Sequence, residues 1–301
     1  ALSYTVVSSS TPVVCTATLT SGLAQNGTAA FTITANAPSS TGSYTNYASV
    51  DPTGGNTPAT PGGSCSGTAC GSVNTTVVAP ANFTLAKTQT TAATVNTGAT
   101  ITYQIGLGNS GGVTSGTSFT VKDQLPAGVV ATAVTVGTGV SAVSCTDASS
   151  HTLPTASTAG ALLTCTGTLS SGLAAGAANG TALFTITATA PSSAGSITNY
   201  ANVGPTGVAP SNPPTSGSCP DTSCGSVNTT VVTPANFALT KTVNTATVAT
   251  GSQQIYTLTI TNTGGATSGT TAVFNELMPL NSVITAITGT SGIVSNGISC
   301  T

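Results

Sequence analysis

The sequence repeats itself with a period of about 150 residues, and a repeat of that length fixes the folding unit before any residue chemistry is considered. CGSVNTTVVAPANFTLAKT from Cys70 returns as CGSVNTTVVTPANFALTKT from Cys224, an offset of 224 − 70 = 154. CTATLTSGLAQNGTAAFTITANAPSS from Cys15 returns as CTGTLSSGLAAGAANGTALFTITATAPSS from Cys165, an offset of 165 − 15 = 150. SYTNYASV at 43–50 matches SITNYANV at 196–203, and VKDQLP at 121–126 matches FNELMP at 274–279. Residues 1–80 are therefore the back half of a unit, 81–234 a whole one, and 235–301 the front half of another. Joining Thr301 to Ala1 gives SNGISCTALSYTVVSSSTPVVCTATL, which reads like the internal stretch VSAVSCTDASSHTLPTASTAGALLTCTGTL. This cyclic continuity predicts one period of a longer array or filament, its split domain completed by a neighbour. The junction is either a peptide bond or a non-covalent complementation of half-domains.

Period-two alternation in short runs bounded by Gly, Pro, Asn and Ser predicts strands throughout. The runs are 83–90, 99–108, 117–125, 129–144, 161–169, 180–190, 196–203 and 226–233. No stretch of ten residues shows helical spacing. Without Trp, and with one Met and few aromatics, the core must come from Val, Ile, Leu, Ala and Thr, mostly strand formers and small fillers. Seven or eight short strands per unit predict an all-β fold of tandem, immunoglobulin-like antiparallel sandwiches with Greek-key connections. The boundary VVTPANF at 231–237 leaves almost no linker, and Pro234 stiffens it, so tandem sandwiches would form a rod.

Only 3% of the chain is charged, against about 25% in an ordinary globular domain. Three scattered Lys cannot displace counterions from phosphates, which excludes a nucleic-acid partner. Enzyme mechanisms are starved of acids, bases and metal ligands, so neither enzymatic activity nor a cofactor is expected. No run of 18 purely apolar residues is present, so no membrane insertion is expected in this segment. Roughly a third of the residues are Ser or Thr, well above ordinary usage. Eight Cys in such a chain suggest an oxidising compartment outside the cell.

The order ANFTLAKT, TGATITYQIGLGNSG, VKDQLPAGV, CTGTLSSGLAAG, SITNYANV resembles the conserved surface repeat known as domain of unknown function eleven. The resemblance runs over about 81–205 and recurs in both partial units. It implies an immunoglobulin-like fold, exposure on a bacterial or archaeal cell surface, and structural or adhesive work without a named ligand. The stretch GPTGVAPSNPPTSGSCPDTSC at 204–224 departs from the pattern in its length and its Pro and Cys content.

Local pairing of the cysteines gives Cys65–Cys70, Cys145–Cys165 and Cys219–Cys224, leaving Cys15 and Cys300 to pair across the junction with a neighbouring copy, head to tail. Four Cys can also hold zinc, but C-x4-C with Pro and Gly between and no second short-spaced pair is a poor zinc pattern. Disulfides are the reading adopted, each contributing on the order of 2–4 kcal/mol.

Of eight charged residues (three Lys, five acids), four form two matched pairs. Lys87 matches Lys241, Asp123 matches Glu276, and Asn199 matches Asn46. Alternation turns Phe83, Leu85 and Lys87 to one face, Val121, Asp123 and Leu125 to another, and Ile197, Asn199 and Ala201 to a third, all inward. Buried charges must be paired or neutralised. Burial lowers the pKa of a Lys and raises that of a carboxyl, so a neutral Lys87 amine could attack the Asn199 carboxamide while protonated Asp123 polarises it, releasing ammonia. Such an isopeptide bond resembles the cross-linked sandwich domains of bacterial pili and adhesins, with Lys on the first strand and Asn on the last. Lys241 and Glu276 would use Asn46 of the next chain. The alternative is a buried Lys–acid salt bridge with Asn as a hydrogen-bond partner.

His151 sits in the loop Asp147-Ala-Ser-Ser-His151 and is absent from the other units; it reads as a solvated loop residue and not as part of a Ser–His–Asp site. Asn-x-Ser/Thr sequons at Asn26, Asn74, Asn82, Asn179 and Asn228, with abundant Ser and Thr, admit glycans. The sequence therefore predicts a structural segment of an extracellular cell-surface filament or stalk. A multivalent adhesin whose loops bind glycans or another surface is the alternative. With few titratable groups linked to unfolding, stability is expected to vary little between roughly pH 3 and 9, which a series of melting temperatures would check.

Overall fold

Fourteen strands and no helix are found among the described residues of the computed structural model, which are 13–19, 21–53, 58, 63–65, 67–204, 208–289 and 292. β1 (Gly42–Ser49) and β2 (Cys70–Val77) form an antiparallel hairpin in the N-terminal half-unit. β13 (Phe237–Val243) and β14 (Tyr256–Asn262) form another in the C-terminal half-unit. Ten strands lie between them: β3 (Phe83–Gln89), β4 (Thr94–Asn96), β5 (Thr100–Asn109), β6 (Ser118–Gln124), β7 (Val130–Val136), β8 (Val140–Asp147), β9 (Leu162–Leu169), β10 (Ala177–Thr189), β11 (Gly195–Val203) and β12 (Cys224–Val232). Contacts divide the chain into two compact units, 1–233 and 234–301.

The ten strands make two sheets, β3-β5-β10-β7 and β4-β12-β11-β6-β9-β8. Their inward faces share one core, to which Ile105, Leu107 and Phe184 come from the first sheet and Val121, Leu163 and Val203 from the second, all at 2% exposure or less. Phe119 of β6 stacks on Phe184 of β10 across the interlayer space, ring centroids 5.7 Å apart. This is the all-β antiparallel sandwich that alternation dictates, each strand giving every second residue to the core. One ladder departs from it. Short β4, which the alternation signal is too brief to reveal, runs parallel to β12.

Alternation over 129–144 reads as one strand, yet the chain forms β7 and β8 in different sheets. The break lies at Gly137–Thr138–Gly139, where Gly139 takes a φ of 71°, a conformation that costs a residue with a side chain but not glycine. The corner turns the polypeptide from one layer to the other, and this extra strand together with β4 brings the unit to ten strands where seven or eight were expected.

The three local cysteine pairs are bridged. Cys145 and Cys165 are register partners on β8 and β9 and both are fully buried. Cys219–Cys224 ties the long 204–224 connection to the first residue of β12. Cys15 is exposed and unbridged, while Cys300 lies outside the described residues. A bridge closing a 20-residue loop limits the unfolded chain more than one closing five. Replacing Cys145 and Cys165 together by Ser should cost about 3 kcal/mol, and the same change at Cys219 and Cys224 about 2 kcal/mol. Urea-unfolding midpoints at constant slope check the order.

Candidate functional site

Lys87 enters the core because its strand, β3, alternates Phe83, Leu85, Lys87 toward the second sheet. In register it faces Ile105 of β5, and Tyr103, two residues from Ile105, brings its ring to 4.9 Å from Lys87 Nζ. The opposing sheet places Asp123 of β6, Ala201 of β11 and Gly225 of β12 in one lateral row. Gly225 makes the close approach possible. A Cβ there would stand 2.6 Å from Leu85 Cδ2 and 2.8 Å from the backbone nitrogen of Lys87, so a side chain would push β3 off the row.

Across this row Lys87 Nζ donates to Asp123 Oδ2, with both side chains fully shielded from solvent. Burial pulls the Lys87 pKa below its ordinary value, and the charge and hydrogen bond of Asp123 act in the opposite direction. Burial likewise raises that of Tyr103. Asn199 lies on β11 one inward position from Ala201 and is fully buried. Asn199 is thus diagonal to Asp123 across the β11–β6 ladder, a separation of about 7–8 Å between Cα atoms in such sheets.

Four polar atoms around Lys87 find no hydrogen-bond partner: Asp123 Oδ1, Asn199 Oδ1, Asn199 Nδ2 and the Tyr103 hydroxyl. The Tyr103 hydroxyl faces Thr229 without meeting hydrogen-bond geometry, and the Thr229 hydroxyl donates to Gln89 instead. Leaving such groups unsatisfied costs about 1–3 kcal/mol each. Their clustering on two of the three residues that the repeat pairs, Asp123 and Asn199, plus one aromatic neighbour of Lys87, marks the site.

The C-terminal half-unit carries the same constellation. Lys241 Nζ donates to Glu276, and the Tyr256 ring centroid lies 4.6 Å from Lys241 Nζ. There the Lys and Glu side chains are 39% and 24% exposed. Asn46 is exposed on β1, opposite Val73, as Asn199 is opposite Val227 on β11. Tyr103 and Tyr256 are the members that reading the charged residues alone misses. Their recurrence at 256 − 103 = 153 residues, the offset of Asp123 and Glu276, is the signal that would have found them.

His151 is half-buried and not simply solvated. Asp147 accepts from the backbone N–H groups of Ser149, His151 and Thr158, and its Oδ2 lies 3.0 Å from His151 Nδ1. These bonds, led by that from Thr158, hold the Asp147 carboxyl far below its ordinary pKa, and the hydroxyl and N–H of Ser223 lower that of Asp221. Both oxygens of Asp147 are committed to pinning the 147–158 loop. Among the described residues no group of three His, Cys, Asp or Glu could hold a metal ion, and no helix is long and apolar enough to cross a membrane.

No family model matches the chain, and no curated protein matches it. Among solved structures it is similar to a cohesin module from a Clostridium perfringens family 33 glycoside hydrolase, at 12% identity and a TM-score of 0.33, over 49% of this chain and 96% of the module. It is also similar to a group B streptococcus pilus 2b backbone protein, at 18% identity and a TM-score of 0.26, over 61% of this chain and 80% of the other.

The depressed carboxyls set the acid limit of stability. A group whose pKa is lower in the folded state stabilises fully above its unfolded value, about 3.9 for Asp, and that contribution is lost as pH falls toward the folded value. Melting temperature should therefore decline as pH drops below about 4, earlier than the composition alone suggests. Asp147→Asn should melt lower at neutral pH and show a shallower acid decline.

Proposed function

We propose that this chain is a structural segment of an extracellular cell-surface filament or stalk, built from β-sandwich units that an internal Lys–Asn bond locks shut. The observation that carries the proposal is the buried Lys87–Asp123 pair beside Asn199, whose carboxamide is fully buried with both polar atoms unpartnered. A stability-neutral design would not place two charges and an idle amide in a core that is predominantly apolar.

The chemistry balances without a co-reactant. The Lys87 ammonium passes a proton to the Asp123 carboxylate, leaving a neutral amine and a carboxylic acid. The amine lone pair attacks Asn199 Cγ while the acid donates to Asn199 Oδ1. The Cγ–Nδ2 bond breaks, Nδ2 takes one proton from the former amine, and ammonia leaves. The product amide carries no charge, and Asp123 keeps its proton and donates to the new carbonyl. Desolvation of the amine favours the reactive form, and the rigid ladders supply the proximity.

The bond would span 199 − 87 = 112 residues, from the first strand of the unit to its next-to-last. By the loop-entropy argument a crosslink over such a loop contributes about 4–5 kcal/mol. In a filament the same bond carries load between the two sheets, because pulling β3 away from β11 strains a covalent chain and not a ladder of hydrogen bonds. The disulfides, the low charge and the tandem repeat support an extracellular setting and a non-enzymatic role, and the sequence resemblance to surface repeats agrees.

Intact mass after reduction is the test. The wild-type chain should be lighter than its sequence by at least one ammonia, with a peptide joining residues 83–89 to 195–203 after proteolysis. Lys87→Arg and Asn199→Ala should keep the full mass for this unit and melt lower; Asp123→Ala should fold with the bond unformed. A wild-type mass equal to the sequence mass would overturn the covalent reading.

A further inference from the structure

The complete unit begins on β3 and ends on β12, and a bond between Lys87 and Asn199 reaches only the next-to-last strand, β11. Load passing along the chain enters at Phe83 and leaves at Val232. β12 is held by its ladders to β11 and β4. Its disulfide, Cys219–Cys224, ties it to the connection before it and not to the opposite sheet.

β3 and β12 belong to different sheets, yet a pair of side chains joins them. Gln89, the last residue of β3, follows Phe83, Leu85 and Lys87 on the inward face. Thr229 of β12 is buried, at 1% exposure. Thr229 Oγ1 donates to Gln89 Oε1, and Gln89 Nε2 donates to the Ala92 carbonyl, so the carboxamide is fixed from both sides with the hydroxyl against it. Tyr103 is the register partner of Gln89 on β5, which sets the two side chains next to each other on one face. The Tyr103 hydroxyl faces Thr229 and has no hydrogen-bond partner. Burial raises its pKa, so the phenol keeps its proton. A hydroxyl nucleophile, a carboxamide and a protonated phenol are the parts of an acyl transfer.

We propose that Thr229 and Gln89 form a second crosslink site, at which the hydroxyl displaces ammonia from the carboxamide and leaves an ester between β12 and β3. The bond from Thr229 Oγ1 to Gln89 Cδ forms as the Cδ–Nε2 bond breaks. The hydroxyl proton passes to the Tyr103 oxygen while Tyr103 gives its own proton to Nε2, so ammonia leaves and Tyr103 is returned unchanged. No co-reactant is consumed, and the packed strands supply the proximity. The ester closes 229 − 89 = 140 residues and takes in β12, which the Lys87–Asn199 bond leaves out. In the C-terminal half-unit the residue matching Gln89 is Val243, so one such ester is expected per chain. The site stands apart from the Lys87 chemistry, and neither needs the other.

The test is intact mass of the reduced full chain, followed by proteolysis. The wild type should have lost two ammonias, and one peptide should join β3 to β12. Hydroxylamine should split that peptide and leave a hydroxamate at 89, whereas the amide joining Lys87 to Asn199 survives the treatment. Thr229→Val should lose one ammonia fewer, and Thr229→Ser should restore the ester. Tyr103→Phe should lower the yield of the hydroxylamine-sensitive peptide while unfolding in a single cooperative transition; an undiminished yield overturns the proton relay. A single ammonia loss confined to Lys87 and Asn199, with no hydroxylamine-sensitive peptide, overturns the ester and leaves the Lys–Asn bond standing. A hydroxylamine-sensitive peptide without a Lys87–Asn199 peptide supports the ester and removes the other bond. A mass equal to the sequence mass overturns both.

Discussion

A β-strand in a core must hydrogen-bond along both edges or end the sheet there, because a buried backbone N–H or C=O without a partner costs as much as a lost hydrogen bond. Everything in this molecule is arranged around that requirement. The ten strands of 83–232 meet it internally and enclose a core. The half-units meet it only along their own hairpins, and their remaining apolar residues stay at the surface. Side-chain chemistry is subordinate: β3, β6 and β11, held in fixed register, turn Lys87, Asp123 and Asn199 into one core.

The low charge of the chain sharpens the meaning of that convergence. In an ordinary domain a buried Lys–Asp pair is one ion pair among many, and replacing it with apolar residues is often neutral or stabilising. Here three Lys are available in 301 residues, and two of them sit at repeat-equivalent positions, each with an acid and a tyrosine ring. The third, Lys122, lies on the outward face of β6 and donates to Asn212. Position on the pleat therefore separates the two roles of lysine: inward for the site, outward for a surface hydrogen bond.

Much of this was legible in the sequence because the repeat converts similarity into register. Alternation placed Lys87, Asp123 and Asn199 inward, and the structure buries all three. What alternation could not show was where a strand changes sheet, since β7 and β8 carry the same pattern on either side of Gly137–Gly139. Nor could it show the parallel pairing of β4, three residues long, or the requirement for glycine at 225, which depends on the separation of two layers and not on any local signal. The Asp147 loop was missed for a related reason: its carboxyl is satisfied by backbone N–H groups, which the sequence does not distinguish from any others.

The division of the unit also divides the site. Of the two half-units, the C-terminal one carries the Lys and its acid, Lys241 with Glu276, and the N-terminal one carries the Asn, Asn46. The Lys–Asn bond proposed for Lys87 and Asn199 has a requirement that a disulfide lacks. Two thiols can be oxidised wherever they collide, whereas the Lys–Asn reaction needs an amine stripped of water and an acid held protonated, conditions that exist only inside a closed sandwich. In the C-terminal half-unit the Lys241 and Glu276 side chains stay 39% and 24% exposed, unlike the fully shielded Lys87 and Asp123. The bond proposed for Lys87 and Asn199 would thereby be tied to completed folding, because a slip of one residue in register turns every inward group outward.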